Sequence, residues 1–87
     1  MSVEEELEYV VERYEVGSRY EGYKKNGLRN GRGKFFYQDG GFYDGNWKDD
    51  KMHGEGKLYY NETKLAYEGQ WYLDEFHGHG KVYNDSP

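Results

Sequence analysis

The three histidines are the side chains of this 87-residue chain with the clearest capacity for metal chemistry. His53 and His77 each precede a glycine, and His79 lies two residues beyond His77, so in a strand His77 and His79 would face the same side. Two such imidazoles could bind a metal ion, but the sequence has no cysteine, and its spacing fixes no third ligand. We therefore predict no metal site.

Residues for catalysis occur in no recognisable arrangement either. Serine is found only at positions 2, 18 and 86, no nucleophile elbow is present, and no pair of carboxylates has a fixed spacing. Three Gly-x-Gly-Lys motifs, which begin at Gly31, Gly54 and Gly78, precede predicted strands rather than helices. They therefore lack the helix N-terminus that binds phosphate. The sequence predicts a protein that is not an enzyme and has no cofactor.

The Gly-x-Gly-Lys motifs belong to a longer pattern that occurs three times. Each lies eleven residues after a Tyr-acid-Gly motif, which begins at Tyr20, Tyr43 or Tyr67, so the copies are 23 and 24 residues apart. This period indicates a stacked-repeat architecture, in which each unit buries its apolar face against its neighbours. The repeated structural positions are Gly22, Gly31, Gly33, Gly45, Trp47, Gly54, Gly56, Gly69, Trp71, Gly78 and Gly80.

These residues resemble the MORN repeat (membrane occupation and recognition nexus). Its pattern runs tyrosine, acid, glycine, a tryptophan two residues further on, a turn, and then Gly-x-Gly with an aromatic strand. The first copy departs from it, because Lys24 stands where Trp47 and Trp71 stand in the others. The resemblance implies an all-β fold, a single-layer antiparallel meander of three β-hairpin repeats with about six strands. It also implies a scaffold or docking module in a cytoskeletal, ciliary or membrane-proximal assembly.

The glycines of the repeats predict which face of the sheet is buried. In the second strand of each repeat two glycines share one side and leave the backbone bare. The tryptophans Trp47 and Trp71 are large enough to cover bare backbone, and we expect them to lie over Gly54, Gly56, Gly78 and Gly80.

The opposite side of the second strands carries a lysine and an aromatic residue in every repeat. If the glycine side is buried, these residues face outward and are a candidate partner-binding face. The alternative is that their rings pack on each other or beneath the N-terminal segment, with the lysine stems lying along them. The six residues are Lys34, Phe36, Lys57, Tyr59, Lys81 and Tyr83.

Residues 1–18 are predicted to be an acidic leader, and residues 19–87 the repeat domain, with repeats at about 20–42, 43–66 and 67–87. The segment Ser2 to Glu5 has the spacing of a capping box, which predicts an amphipathic helix over about residues 3–15. Its apolar stripe, a candidate docking surface, is formed by Leu7, Val10, Val11 and Tyr14.

A second interpretation of the leader remains open. Tyr14, Gly17 and Tyr20 match Tyr37, Gly40 and Tyr43 at an offset of 23 residues. Under this alternative, Val10 to Val16 are the second strand of a degenerate preceding repeat.

Charge and composition limit the classes of partner that this chain is expected to bind. The net charge is −5, which argues against nucleic acid. The first repeat is locally basic at Lys24, Lys25, Arg29 and Arg32, which are candidate contacts to acidic phospholipids. The absence of cysteine and of a long apolar run fits an intracellular, cytoplasmic protein. Other proteins are the expected partners, in a larger complex or a homo-oligomer formed through sheet edges, and a membrane surface is the alternative.

Overall fold

A computed structural model describes residues 6–83, which form one antiparallel sheet. Its dimensions are 55 × 33 × 16 Å, as expected for a single layer. The predicted all-β meander is confirmed, with seven strands rather than about six. Their order in the sheet is their order in the chain: β1 (Glu8–Arg13), β2 (Arg19–Lys25), β3 (Leu28–Phe36), β4 (Phe42–Lys48), β5 (Lys51–Tyr59), β6 (Leu65–Tyr72) and β7 (Glu75–Val82).

The hairpin within each repeat turns in two residues. The polar composition of residues 25–30, 48–53 and 72–77 suggests longer loops, but strands occupy most of these residues. Both turn residues have positive φ, the geometry whose twist matches that of the flanking strands. The φ values are 53° and 79° at Asn26 and Gly27, 47° and 74° at Asp49 and Asp50, and 49° and 74° at Leu73 and Asp74.

The two connections between repeats are built differently. After β3, Gly40 has a φ of 103°, and the Asp39 carboxylate accepts a hydrogen bond from the Gly41 N–H at 3.1 Å. After β5, Oδ1 of Asn61 accepts hydrogen bonds from the backbone N–H groups of Thr63 and Lys64, at 2.9 and 3.0 Å. A side chain therefore organises the second turn, where glycine is absent.

The predicted N-terminal helix is wrong for the residues that the structure describes. Residues Glu8–Arg13 are strand β1, which pairs with β2 in the register Val10 opposite Gly22. Pairing gives β2 a neighbour for its backbone groups, which a helix would not do. The alternative interpretation correctly expected a strand here, although Glu8–Arg13 only overlaps the predicted Val10 to Val16 and begins and ends earlier. The capping box at residues 2–5 lies outside the described residues.

The core is a row of tyrosines. Tyr20 and Tyr43 are fully buried, and Tyr67 is 4% exposed. Each ring lies over the last glycine of the Gly-x-Gly motif in its own repeat, where a Cβ would collide with it. The phenol O–H groups donate to backbone carbonyls three residues on, those of Tyr23, Asn46 and Gln70, at 2.7 to 2.8 Å.

The tryptophans are buried as expected, and Trp71 lies opposite Gly54 and against Gly56, two of the predicted glycines. The predicted placement of Trp47 is wrong, because it lies against Gly33 instead. Nε1 of Trp47 donates to the Gly33 carbonyl at 3.1 Å, and Nε1 of Trp71 donates to the Gly56 carbonyl at 3.2 Å. Each indole therefore packs over the preceding repeat, while tyrosine covers the glycine of its own. The tyrosine can lie flat because Gly22 is directly opposite Gly33, which leaves the backbone of both strands bare.

Within residues 6–83 no helix is long and apolar enough to cross a membrane.

Candidate functional site

The structure brings the six residues of the predicted partner-binding face together on the side of the sheet opposite the buried tyrosines. We call this surface, made of Lys34, Phe36, Lys57, Tyr59, Lys81 and Tyr83, the lysine–aromatic face. Its three lysines are exposed, and its three rings are half-buried. No second layer covers this face among the described residues.

The lysines of this face alternate with acidic residues across the strands. Lys34 lies opposite Asp44 on β4, and Lys57 lies opposite both Asp44 and Glu68. Opposite charges in directly facing positions stabilise a sheet, and the alternation leaves little net charge. The complete ladder, in strand order, is Glu21, Lys34, Asp44, Lys57, Glu68 and Lys81.

The rings form a second ladder beside the first. The guanidinium of Arg19 lies 3.8 Å from the centre of the Phe36 ring, a cation–π contact. Phe42 lies between Phe36 and Tyr59, with ring centroids 5.4 and 4.3 Å away. The rings thus pack on each other, as the alternative interpretation expected, and none of residues 6–83 forms a helix over them. Sequence reasoning missed Phe42, although its position next to the inward-facing Tyr43 places it on the outward side.

At the far end of the face, Tyr83 hydrogen-bonds to Glu68. The phenol donates to Oε1 of Glu68, and this bond raises the pKa of Tyr83 above its ordinary value. The Tyr83 carbonyl accepts a hydrogen bond from the Tyr60 hydroxyl at 3.3 Å. These contacts link the residue that follows β7 to β6 and to the turn before β6.

The residues of the predicted docking helix do not form one surface. Val10 packs against the buried core, and the Tyr14 ring stacks on Phe35 with centroids 5.9 Å apart. Val11 follows Val10 in the strand, so it faces the opposite side and is 51% exposed. Leu7 precedes β1 and is also exposed. Strand geometry therefore separates residues that a helix would have aligned.

The four basic residues of the first repeat do not form a common patch either. Nζ of Lys24 contacts both carboxylate oxygens of Glu12 at 2.9 Å, on the side of the buried tyrosines. Arg32 contacts Asp44 at 3.2 Å on the opposite side. Lys25 is the last residue of β2, at the Asn26-Gly27 turn. The ion pair to Lys24, with a second hydrogen bond from Tyr14, lowers the pKa of Glu12.

Arg29, the remaining member, belongs to a contact between repeats that the sequence did not reveal. Its backbone N–H and its Nε both donate to Oδ1 of Asp50 at 2.9 Å, and its carbonyl accepts from the Asp50 N–H at 2.9 Å. Its guanidinium lies 4.7 Å from the Trp47 ring. Burial alone would raise the pKa of Asp50, but the two hydrogen bonds from Arg29 outweigh burial and lower it.

The next pair of repeats has the same contact, which we call the aspartate clasp. Oδ1 of Asp74 accepts from the Met52 N–H at 2.8 Å, and the Asp74 N–H donates to the Met52 carbonyl at 2.9 Å. In both clasps the aspartate is the second residue of a hairpin turn and binds the preceding repeat. A sequence signal exists in the spacing, because each aspartate lies three residues after a repeat tryptophan.

Two of the three histidines pack beside a tyrosine ring rather than around a common point. His53 and His77 each lie beside the Tyr72 ring, with centroids 5.3 and 5.4 Å from it. In the part of the chain that the structure describes, no three metal-binding side chains of the His, Cys, Asp or Glu types come together.

Comparison with known families identifies a repeat. The model of the MORN repeat matches residues 20–42, 43–62 and 67–85. The chain belongs to the MORN-repeat family. A search of curated proteins finds no match. The three matched MORN repeats correspond to the hairpins β2–β3, β4–β5 and β6–β7.

The unusual lysine of the first MORN repeat has a structural explanation. In the other two MORN repeats the tryptophan covers the tyrosine and glycine of the repeat before it. In the described part of the chain, the strand before the first MORN repeat is β1, which contains neither a glycine nor a buried tyrosine. Lys24 instead pairs with Glu12 of that strand, so a charge contact replaces the indole contact.

Proposed function

We propose that this MORN-repeat protein is a non-catalytic scaffold or adaptor subunit that docks other proteins within a larger assembly. The observation that carries the proposal is the uncovered lysine–aromatic face, a surface about three repeats long on a sheet one layer thick. Half-buried rings supply apolar contact area there, and exposed lysines supply charge. Enrichment in aromatic residues is typical of protein interfaces.

The shape of the molecule supports docking better than small-molecule chemistry. An enzyme site is usually a concave pocket that encloses most of its ligand. A single-layer sheet instead offers two broad faces and two edges, which among residues 6–83 are the strands β1 and β7. The outer backbone groups of an edge strand can pair with another chain. By family resemblance, the assembly would be cytoskeletal, ciliary or membrane-proximal.

The experiment is affinity capture from extracts of the native source with matched variants. Lys34→Ala/Lys57→Ala removes two central lysines of the lysine–aromatic face. Lys48→Ala/Lys51→Ala removes two exposed lysines next to a hairpin turn and serves as the control. We expect the wild type and the control to recover the same proteins and the face variant to lose them, while all three remain folded.

Recovery of the same proteins by the face variant would contradict docking through this face. If the wild type recovers no protein above the background of the resin, the scaffold proposal fails altogether.

Membrane binding through the first repeat has less support. Lys24, Arg29 and Arg32 each contact an acidic residue, and Arg32 lies on the face opposite the other two. Each basic residue free to approach an anionic surface contributes about 1 kcal/mol, and paired residues contribute less. We expect no salt-sensitive sedimentation with anionic vesicles, relative to neutral vesicles, at low and high salt. Binding to anionic vesicles that salt abolishes would reverse this preference.

A further inference from the structure

The last strand of the sheet, β7, carries positions that earlier strands use to bind the repeat after them. β3 and β5 each accept an indole N–H at a glycine carbonyl, at Gly33 and Gly56. Each is also joined to the next repeat by an aspartate clasp, at Arg29 and Met52. Each presents a lysine opposite an acid of the following strand. The same three contacts between a strand and the repeat that follows it therefore occur at two places, between β3 and the hairpin β4–β5 and between β5 and the hairpin β6–β7.

The corresponding positions of β7 are Phe76, Gly80 and Lys81. No strand follows β7 among residues 6–83. Val82 is 68% exposed, although the equivalent Leu58 of β5 packs against the core. Phe76 stacks on Tyr67 with centroids 4.0 Å apart, and this residue is still 52% exposed. The difference in exposure arises because β6 covers β5, whereas β7 is the edge.

We propose that β7 binds an extended segment of another protein with the pattern Tyr-acid-Gly-x-Trp-x-x-Asp. The segment adds to the sheet antiparallel to β7, as β4 adds to β3. Its acid lies opposite Lys81 and its glycine opposite Gly80. Its indole donates to the Gly80 carbonyl and covers the Phe76 ring, and its aspartate clasps the Phe76 backbone. The inference deepens the proposed docking function and depends on it.

An edge strand of the described sheet in a second copy of this protein does not have the sequence pattern that β7 is proposed to bind. The two edge strands of the described chain are β1 and β7, and neither contains a tryptophan. A copy that paired through either edge would leave the Gly80 carbonyl without an indole donor. The segments with the pattern, in β4 and β6, already have partners on both sides.

A peptide copied from residues 41–51 (GFYDGNWKDDK), acetylated, amidated and fluorescently labelled, tests the proposal directly. It contains the full pattern from Tyr43 to Asp50, which begins in β4 and ends in the following turn. We expect saturable binding by fluorescence anisotropy to the full chain, with slower amide hydrogen exchange confined to β7 and its turn. Absence of binding, protection of β1 instead, or self-association through β7 that excludes the peptide would overturn the proposal.

Matched substitutions test the register. A peptide with the change Trp47→Leu is expected to bind about tenfold more weakly, because it lacks the indole hydrogen bond. The Lys81→Glu protein is expected to bind the parent peptide about fivefold more weakly, and a peptide with Asp44→Lys should restore the affinity. Lys57→Glu, the same change on an interior strand, is the control. Equal weakening by Lys57→Glu, or no rescue, would refute the register.

The outcomes separate this inference from the broader function. If the peptide fails to bind but the lysine–aromatic face captures partners, only the role of β7 is refuted. If the peptide binds β7 but no partner depends on the lysine–aromatic face, docking takes place at the edge instead.

Discussion

β5 and β7 have the same motif and opposite environments. Gly56 of β5 is buried and Leu58 packs against the core, whereas Gly80 and Val82 of β7 are exposed. Each strand pairs with the first strand of its own hairpin, β4 or β6, but in the described sheet only β5 also pairs with a strand of the following repeat, which is β6. The difference in burial therefore comes from that following strand. In this fold a strand is buried by the repeat that follows it as much as by its own hairpin.

The largest expected effect comes from adding a methyl group to the two glycines. Gly56→Ala and Gly80→Ala place a Cβ against the Tyr43 and Tyr67 rings respectively. We expect Gly56→Ala to lower the free energy of unfolding by about 3 kcal/mol, and Gly80→Ala by about 1 kcal/mol. The edge strand can detach locally and so relieve the collision. Urea denaturation, monitored by tryptophan fluorescence, measures the free energy of unfolding of both variants. Substitution of the exposed Glu55 (Glu55→Ala) is the control. Equal losses would show that β7 is as constrained as β5.

A smaller, pH-dependent effect is expected at the first aspartate clasp. The pKa of Asp50 in the folded protein lies below its ordinary value of 3.8. Its ionised form therefore stabilises the fold above about pH 4, and the stabilisation is lost as the pH falls through the folded pKa. Because the side chain is 41% exposed, solvent screening limits the effect to about 0.5 kcal/mol.

Thermal unfolding of wild type and Asp50→Asn between about pH 3 and pH 7 measures this contribution. The difference between the two proteins should shrink toward acid pH, with the exposed Glu62→Gln as control. A difference that is constant with pH would mean that the Asp50 charge does not stabilise the contact between repeats.

The smallest difference is expected between two lysines of the charge ladder. Lys57 faces acids on both sides, Asp44 and Glu68, whereas Lys81 faces only Glu68. We expect Lys57→Ala to cost about 0.5 kcal/mol and Lys81→Ala about 0.2 kcal/mol in urea denaturation. The difference should disappear in about 0.5 M salt, where such charges are screened. A larger cost for Lys81→Ala would contradict the comparison of interior and edge strands.

The repeat pattern was sufficient to predict the meander and the sidedness of the repeat strands, because glycine and ring positions recur with a period of two. It did not distinguish helix from strand at the N-terminus. Val10 and Val11 are adjacent and both apolar, so residues 7–14 fit either period, and pairing with β2 decides between them. The direction of the indoles was also unpredictable from spacing, since a side chain on a central strand can lean toward either neighbour.

The two-residue turns and the aspartate clasps were missed for a common reason. Asp49-Asp50 and Leu73-Asp74 lack the glycine that usually marks such a turn, and the polar residues around them suggest longer loops. The second aspartate of each turn contacts the preceding repeat, and that contact holds its backbone in the uncommon conformation. The composition of the turn itself does not reveal a contact with a residue more than twenty positions earlier in the chain.

Every strand of the described sheet adjoins only the strands before and after it in the chain. The fold therefore does not require a particular number of repeats. Duplicating or deleting one whole unit of 23 or 24 residues would lengthen or shorten the sheet while preserving the remaining contacts. The same connectivity lets each hairpin form as soon as it leaves the ribosome, without waiting for distant segments. Growth by simple addition is therefore available to evolution and to protein engineers alike.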